Sequence, residues 1–331
     1  MVWTKSPIRP TNPMVLNFVL FFYYLFEGIV LFFIPDSFRE KKDVTGKNVL
    51  ITGGGSGIGQ LMALKLAKLG ARVIVWDINE DGLEMTKQLF TANKMEQQLH
   101  CYQIDIGKRE TIYQLAELVR KQVGPIDILI NNAGIVTGRA LLETPDECIE
   151  QSLRINTLSH FYMVKAFLPE MIKRSSGHIV TIASIAGNLS GCNLADYHAS
   201  KFANVGFDLA LRMELAQIQL DSKIKTTIVK PFFINTGMFA GARSRMLPFL
   251  EPDHVAERIV DGIRSEQSEI ILPWFFWFFF AILVTVPSKC LIPLADAFGV
   301  FTMMTQFRGR RNISTNMKTS NNNNNGKLNN E

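Results

Sequence analysis

The sequence predicts an α/β chain built on a doubly wound parallel sheet, and three observations carry that expectation. From about residue 45 to residue 272, short apolar runs alternate with amphipathic helical stretches, as parallel β-α-β units do when helices cover both sheet faces. The first run, NVLIT, leads into a cluster of glycines and then a helix. Of the 331 residues, 47% are hydrophobic, and the formal net charge is +5. That is enough apolar sequence for a sizeable core, and it excludes disorder throughout and a small disulfide scaffold.

Residues 1–13 read as a short amino-terminal tail. Met14 to Ile34 then runs MVLNFVLFFYYLFEGIVLFFI, with Glu27 as its only charge. At about 1.5 Å per residue such a helix is about 30 Å long, enough to cross a bilayer core. A cleavable signal peptide would have a shorter apolar region followed by small residues, whereas IPDSFREKK follows here. A retained membrane anchor over residues 14–34 is therefore expected.

A single α/β domain is expected over residues 45–272. Its strands read NVLIT, ARVIVWD, LHCYQID, IDILINNAG, GHIVTIAS and KIKTTIVKP, with helices between them, the first from Gly57 to Leu69 and a long one after IDILINNAG. Right-handed crossovers wind such units into one sheet, and ligands bind at the carboxyl ends of its strands. A second apolar stretch, Ile270 to Pro287, carries no charge, and Pro273 and Pro287 bracket only 13 residues of it. As a helix those would reach about 20 Å, which is short for a span. An interfacial or re-entrant element over residues 273–307 is expected, with a buried carboxyl-terminal helix as the alternative. Residues 308–331, with their NNNNNG run, read as a polar low-complexity tail.

Cys101, Cys148, Cys192 and Cys290 are far apart, and the five histidines form no H-x-x-x-H pair. No metal site or disulfide framework is expected, so the chemistry must come from other residues.

The first motif is Thr52-Gly53-Gly54-Gly55-Ser56-Gly57-Ile58-Gly59, between strand and helix. Glycines allow a tight turn and let backbone approach a pyrophosphate, which meets the unpaired amides of the helix N-terminus. Asp77, 24 residues beyond Gly53, closes the second strand, where a carboxylate can bind ribose hydroxyls and repel a 2′-phosphate. Neither Ser56, Ile78 nor Asn79 supplies the cation a 2′-phosphate would want, so the expected cofactor is NAD.

The second motif is Tyr197-x-x-x-Lys201, with Ser184 thirteen residues before the tyrosine. Tyr197 and Lys201 lie one helical turn apart and share a face. A free tyrosine titrates near 10, too high for a base at neutral pH, and a nearby ammonium should favour the phenolate. Ser184, at the end of GHIVTIAS, can donate a hydrogen bond to a substrate oxygen.

With these motifs the chain resembles the short-chain dehydrogenase/reductase family, a Rossmann fold, across roughly 225 residues. The family pattern T-G-x-x-x-G-x-G is met by Thr52, Gly53, Gly57 and Gly59. The resemblance implies that Asp105 contacts adenine. It also implies that Asn131-Asn132-Ala133-Gly134 steadies the sheet and that Asn156 begins a water-mediated proton relay. It assigns Asn156, Ser184, Tyr197 and Lys201 as a catalytic tetrad. Ser56, Ile58, Ile106, Asn132, Ala133 and Pro231 fall to the cofactor cleft, and Thr236 to the carboxamide. The family's Pro-Gly after the sixth strand is Pro231-Phe232 here, a departure in the loop beside the nicotinamide.

The anchor, Asp77 and PFFINTGMF are similar to the membrane-bound branch that holds retinol dehydrogenases and lipid-droplet 17-beta-hydroxysteroid dehydrogenases. The implied reaction is NAD-dependent oxidation of a hydrophobic alcohol, first of all all-trans-retinol, to its carbonyl. Steroid oxidation is the alternative, because the pocket loop of about residues 232–250 carries no readable code. A non-catalytic lipid-droplet surface protein is a third reading, opposed by the presence of all four tetrad residues. The expected partners are a retinoid or steroid alcohol or ketone and membrane lipid, with a homodimer left open and no nucleic acid. Lys5 and Arg9 precede the anchor, and Arg39, Lys41, Lys42 and Lys47 follow it. That bias places the catalytic domain on the cytosolic face of the endoplasmic reticulum or of lipid droplets, a reducing side that suits unpaired cysteines.

Overall fold

The computed structural model describes residues 13–33 and 39–309. The tail at residues 1–12 and the polar tail from residue 310 lie outside the described residues, as do residues 34–38. The chain opens with helix α1 (Pro13–Phe33) and then alternates: β1 (Asn48–Thr52), α2 (Gly57–Lys68), β2 (Arg72–Asp77), α3 (Glu80–Ala92), β3 (Leu99–Gln103), α4 (Arg109–Gln122) and β4 (Ile128–Asn131). After β4 come α5 (Asp146–Leu153), α6 (Ser159–Arg174), β5 (Gly177–Ile182), α7 (Ala195–Gln217), β6 (Ile224–Pro231), α8 (Pro252–Arg264), β7 (Glu269–Leu272), α9 (Phe276–Thr285) and α10 (Ser288–Ala297). The seven strands pair in parallel in the order β3-β2-β1-β4-β5-β6-β7. The strand order reverses between β1 and β4, so a crevice opens there at the carboxyl ends.

Successive strand residues point to opposite faces, and both faces are dry. Val49, Ile51, Val73 and Val75 join Met62 and Leu66 of α2 and Ile259 and Ile263 of α8 in one apolar layer. Leu50, Ile74 and Trp76 join α4, α6 and α7 in the other, where Trp76 meets Phe167 at 5.9 Å. Trimming one such side chain to alanine, Leu66 for example, should lower stability by about 2–5 kcal/mol.

Three features differ from the sequence reading. The start of the second apolar stretch is a seventh strand: Ile270 and Leu272 are buried beside Val229 and Pro231. The long helix after β4 is not continuous, because Arg154–Leu158 between α5 and α6 is a π-helical turn. The end of the 273–307 segment does not stand apart from the domain: Met303 and Met304 are 8% and 3% exposed within it.

The segment expected as an anchor is helical in α1, with Phe18, Phe21, Phe22 and Phe26 exposed. Its reading as a bilayer span rests on the sequence, since among the residues described in full no helix is long and apolar enough to cross a membrane. Beyond it the chain is tied to the domain. Lys41 pairs with Asp261 at 2.9 Å, and the Lys42 amide donates to the Arg264 carbonyl at 2.8 Å.

Candidate active site

One cavity, of about 740 Å3, runs along the carboxyl ends of the strands and is lined by every expected site residue except Asn156. Its first half is made largely of backbone. The Thr52 hydroxyl, at the end of β1, accepts from the Asn132 and Ala133 amides at 3.0 and 3.1 Å. In return the Asn132 side chain donates to the Thr52 and Gly53 carbonyls at 2.9 and 3.2 Å. This stitching fixes the mouth of the crevice between β1 and β4. A Cβ on Gly59 would lie 2.2 Å from the Gly53 carbonyl oxygen, so only glycine lets α2 start this close to the turn.

Asp77 ends β2 at the same rim, with its Oδ2 accepting from the Gly55 amide at 2.8 Å and its Oδ1 from the Asn79 amide at 2.9 Å. The glycine turn and the acid are thus one assembly. Asp105 follows β3, where its carboxylate accepts from the Gly107 amide at 2.9 Å.

The second half carries the titratable groups. Tyr197 and Lys201 sit one turn apart on α7 and are 6% and 4% exposed. The Lys201 ammonium donates to the Ile182 carbonyl at 2.9 Å and stands 5.6 Å from the centre of the Tyr197 ring. Burial disfavours the charged form of each. It pushes Lys201 down to about 8 and Tyr197 up to about 12, the latter opposed by a hydrogen bond with Ser184. The tyrosine is therefore moved opposite to the expected direction, because desolvation outweighs the Ser184 hydrogen bond. Ser184 caps the short turn Ile185–Gly187, accepting from the Ala186 amide at 3.1 Å and donating to the Pro231 carbonyl at 3.3 Å.

Asn156 lies behind the cavity wall, fully buried in the π-helical turn. Its Oδ1 accepts from the Ile135 amide at 2.8 Å, while its Nδ2 donates to the Ile135 carbonyl at 2.9 Å and to Ser200 Oγ at 3.0 Å. The π turn aims this side chain at the Ile135 backbone, so Asn156 clamps α7 to the loop that follows β4. A mid-helix π turn is often such a functional irregularity.

Sequence reasoning left the apolar wall unread. Phe239 meets Tyr197 edge-on at 5.7 Å and Phe233 at 4.6 Å, and Met238, Met303, Met304 and Phe307 join that wall. No spacing rule marks these residues, and the last three sit in a stretch that reads as membrane-associated. Phe232, where the family has glycine, is 3% exposed and stacks on Phe276 at 5.7 Å, docking α9 onto the sheet.

Residues 47–247 match the family described as short chain dehydrogenase. The chain is 44% identical over 277 residues to epidermal retinol dehydrogenase 2 of Mus musculus, an overlap covering 82% of this chain and 89% of that one. It is 43% identical over 247 residues to estradiol 17-beta-dehydrogenase 11 of Homo sapiens, covering 75% of this chain and 80% of that one. A solved short chain dehydrogenase/reductase from Burkholderia phymatum, in complex with NAD, matches with a TM-score of 0.64 at 25% identity over 71% of this chain and 92% of that one. Since the match runs from the start of β1 to beyond β6, the chain is a member of the short-chain dehydrogenase/reductase family, an oxidoreductase of the branch to which those retinol and 17-beta dehydrogenases belong.

Proposed function

We propose that this protein oxidises a lipid-dissolved hydrophobic alcohol to its carbonyl, all-trans-retinol before others, with NAD as the acceptor. The observation that carries the reading is the convergence of Ser184, Tyr197 and Lys201 on a cavity that is backbone-lined on one side and apolar on the other.

The glycine-lined side fits a dinucleotide. The close approach of Gly53 and Gly59 leaves no room for a side chain where a pyrophosphate would meet the start of α2. Asp77 would hold the ribose hydroxyls, and Lys201 and Thr236 would face the nicotinamide end. The exposed Ile78 beside Asp77 offers no cation to a 2′-phosphate. Bound there, NAD supplies the hydride acceptor and a positive ring.

The remaining chemistry belongs to the chain. Tyr197 Oη takes the proton of the substrate hydroxyl, and Ser184 Oγ donates to the same oxygen as the carbonyl forms. A buried phenol pushed up to about 12 needs positive charge beside it to act near neutrality, and Lys201 is the resident source. Lys201 is held in place by the Ile182 carbonyl, and α7 by Asn156.

The human relative named as an estradiol 17-beta-dehydrogenase supports steroid oxidation as the second reading. Full-length protein in detergent, offered retinoids, steroids and fatty alcohols with NAD or NADP, separates them. Retinol turnover with NAD is expected, and turnover of steroids alone would replace the first reading by the second.

The proposed site of action draws on the apolar sequence of α1 and on Trp274 and Trp277, which are 61% and 49% exposed at the start of the carboxyl-terminal helices. These support a protein of the endoplasmic-reticulum membrane or lipid-droplet surface, with its domain toward the cytosol. Protease added to intact microsomes should digest the domain, and full protection would place it on the other side.

A further inference from the structure

The apolar wall of the cavity comes from four stretches of the chain. They are the turn after β4, the segment between β5 and α7, the loop after β6, and a carboxyl-terminal strap over residues 300–309 that lies beyond the residues matching the family. The strap is fastened by backbone hydrogen bonds. The Arg243 amide donates to the Met303 carbonyl at 2.9 Å, and the Arg308 and Gly309 amides donate to the Ala240 carbonyl at 2.8 and 3.2 Å. Two glycines with positive φ make room for it. A Cβ on Gly241 would lie 2.0 Å from the Gln306 carbonyl oxygen, and one on Gly138 would lie 2.1 Å from the Phe307 ring. Met304 is 3% exposed and belongs to the same apolar cluster as Tyr197 and Phe239.

We propose that this strap is the specificity wall of the alcohol pocket, with Met304 and Phe307 setting the breadth of the apolar body that can lie beside Tyr197. The inference rests on the alcohol-oxidation reading. An alcohol whose oxygen reaches Tyr197 must lay its hydrocarbon along the cluster that holds Tyr197, and Met304 is a member of that cluster. Methionine is unbranched and repacks readily, so Met304 is the adjustable part of the wall. Phe307 is the fixed part, because Gly138 lets its ring seat against the turn after β4. Loss or gain of a few methylenes in such a wall changes discrimination by about 10–200-fold.

The test measures affinity as well as turnover, so that it can fail separately from the proposed reaction. Full-length Met304→Trp, Met304→Ala and Phe307→Leu are purified in detergent, and retained NAD affinity certifies the fold of each. Dissociation constants are measured for retinol and for linear primary alcohols of increasing length, by fluorescence, alongside kcat/KM wherever turnover occurs. Met304→Trp should weaken retinol at least about tenfold relative to a short linear alcohol. Met304→Ala and Phe307→Leu should shift the preference toward broader ligands. An affinity profile unchanged in all three folded variants overturns the inference. Wild-type protein that binds these ligands with the expected variant shifts, yet turns none over, upholds the wall and removes the proposed reaction.

Discussion

The nucleotide side of the cavity and the alcohol side are held by different forces. On the first, backbone amides, carbonyls and short polar side chains interlock: Thr52 with Asn132 and Ala133, Asp77 with Gly55 and Asn79. On the second, Phe233, Phe239, Met304 and Phe307 touch through hydrocarbon and sulfur. Hydrogen-bonded backbone tolerates little change in position, because each unmade bond leaves a polar group stranded. An apolar wall can be refilled by other residues of similar volume. One side therefore suits a single invariant cofactor, and the other can be retuned for new alcohols without disturbing it.

The sharpest test of that division sits where the two sides meet. Tyr197→Phe removes only the proton-accepting oxygen and keeps the ring against Phe239. Turnover should fall by about 10²–10⁴ while NAD affinity stays within error. Stopped-flow hydride transfer and fluorescence titration read the two quantities separately. Near-normal turnover would remove Tyr197 from the mechanism, and lost NAD binding would mean the two sides are not independent.

A change confined to the nucleotide side should come next in size. Asp77→Ser with Ile78→Arg removes the carboxylate that repels a 2′-phosphate and adds a cation at an exposed position on the cavity rim. A charge-assisted contact of that kind is worth about 1.5–3 kcal/mol, or one to two decades in preference for NADP. The ratio of kcat/KM for the two cofactors measures it. Wild-type protein that already prefers NADP would show that Asp77 does not choose.

What could be read from the sequence follows the same division. The glycine turn, Asp77 and Tyr197-x-x-x-Lys201 are local patterns whose spacing fixes their geometry, because a strand end or one helical turn leaves few alternatives. Six of the seven strands were equally plain from their short apolar runs. Glu269–Leu272 was hidden because its apolar residues merge without a break into Pro273-Trp274-Phe275. Met303, Met304 and Phe307 had no local signal, since their place is set by backbone bonds to Ala240 and Arg243, some sixty residues earlier. The direction of the Tyr197 shift was also out of reach, because it depends on how deeply α7 is buried and not on which residue stands four positions on.

Lys201 gives a smaller effect that crosses the boundary between chemistry and stability. Its ammonium, buried, titrates at about 8 against an ordinary 10.5. Between those values the unfolded chain binds more protons, so this group lowers stability fully below pH 8, and the penalty fades as pH rises toward 10.5. A shift of this size corresponds to about 3 kcal/mol, and stranding the Ile182 carbonyl in Lys201→Met takes back about 1 kcal/mol. The variant should therefore melt higher than wild type at pH 7 by about 4–8 °C, while losing most of its turnover. The gap should narrow between pH 8 and 10. A variant less stable than wild type at pH 7, with NAD still bound, would mean that the buried charge is compensated by its surroundings.

The smallest effect concerns how the alcohol side meets its substrate. A retinoid or sterol resides in lipid, each buried methylene favouring that phase by about 0.8 kcal/mol, so a pocket at the bilayer surface meets far more of it than one facing water. Phe276, 1% exposed and stacked on Phe232, pins the start of α9 to the sheet. With that ring held inward, Trp274, Phe275, Trp277 and Phe278 are left 61%, 40%, 49% and 46% exposed, suited to the headgroup level of a membrane. Deleting residues 1–35 removes the expected anchor and leaves this aromatic face as the proposed remaining attachment. The truncated protein should keep NAD affinity, still pellet in part with liposomes, and turn over liposome-borne retinol a few-fold more slowly. Replacing the four outward aromatics by serine in the truncated form should abolish the pelleting, whereas Phe276→Ser should instead loosen α9 and lower the melting temperature. If the four-serine variant pellets as well as its parent, α9 does not hold the domain at the surface. If truncation leaves turnover of liposome-borne retinol unchanged, the alcohol side takes its substrate from water after all.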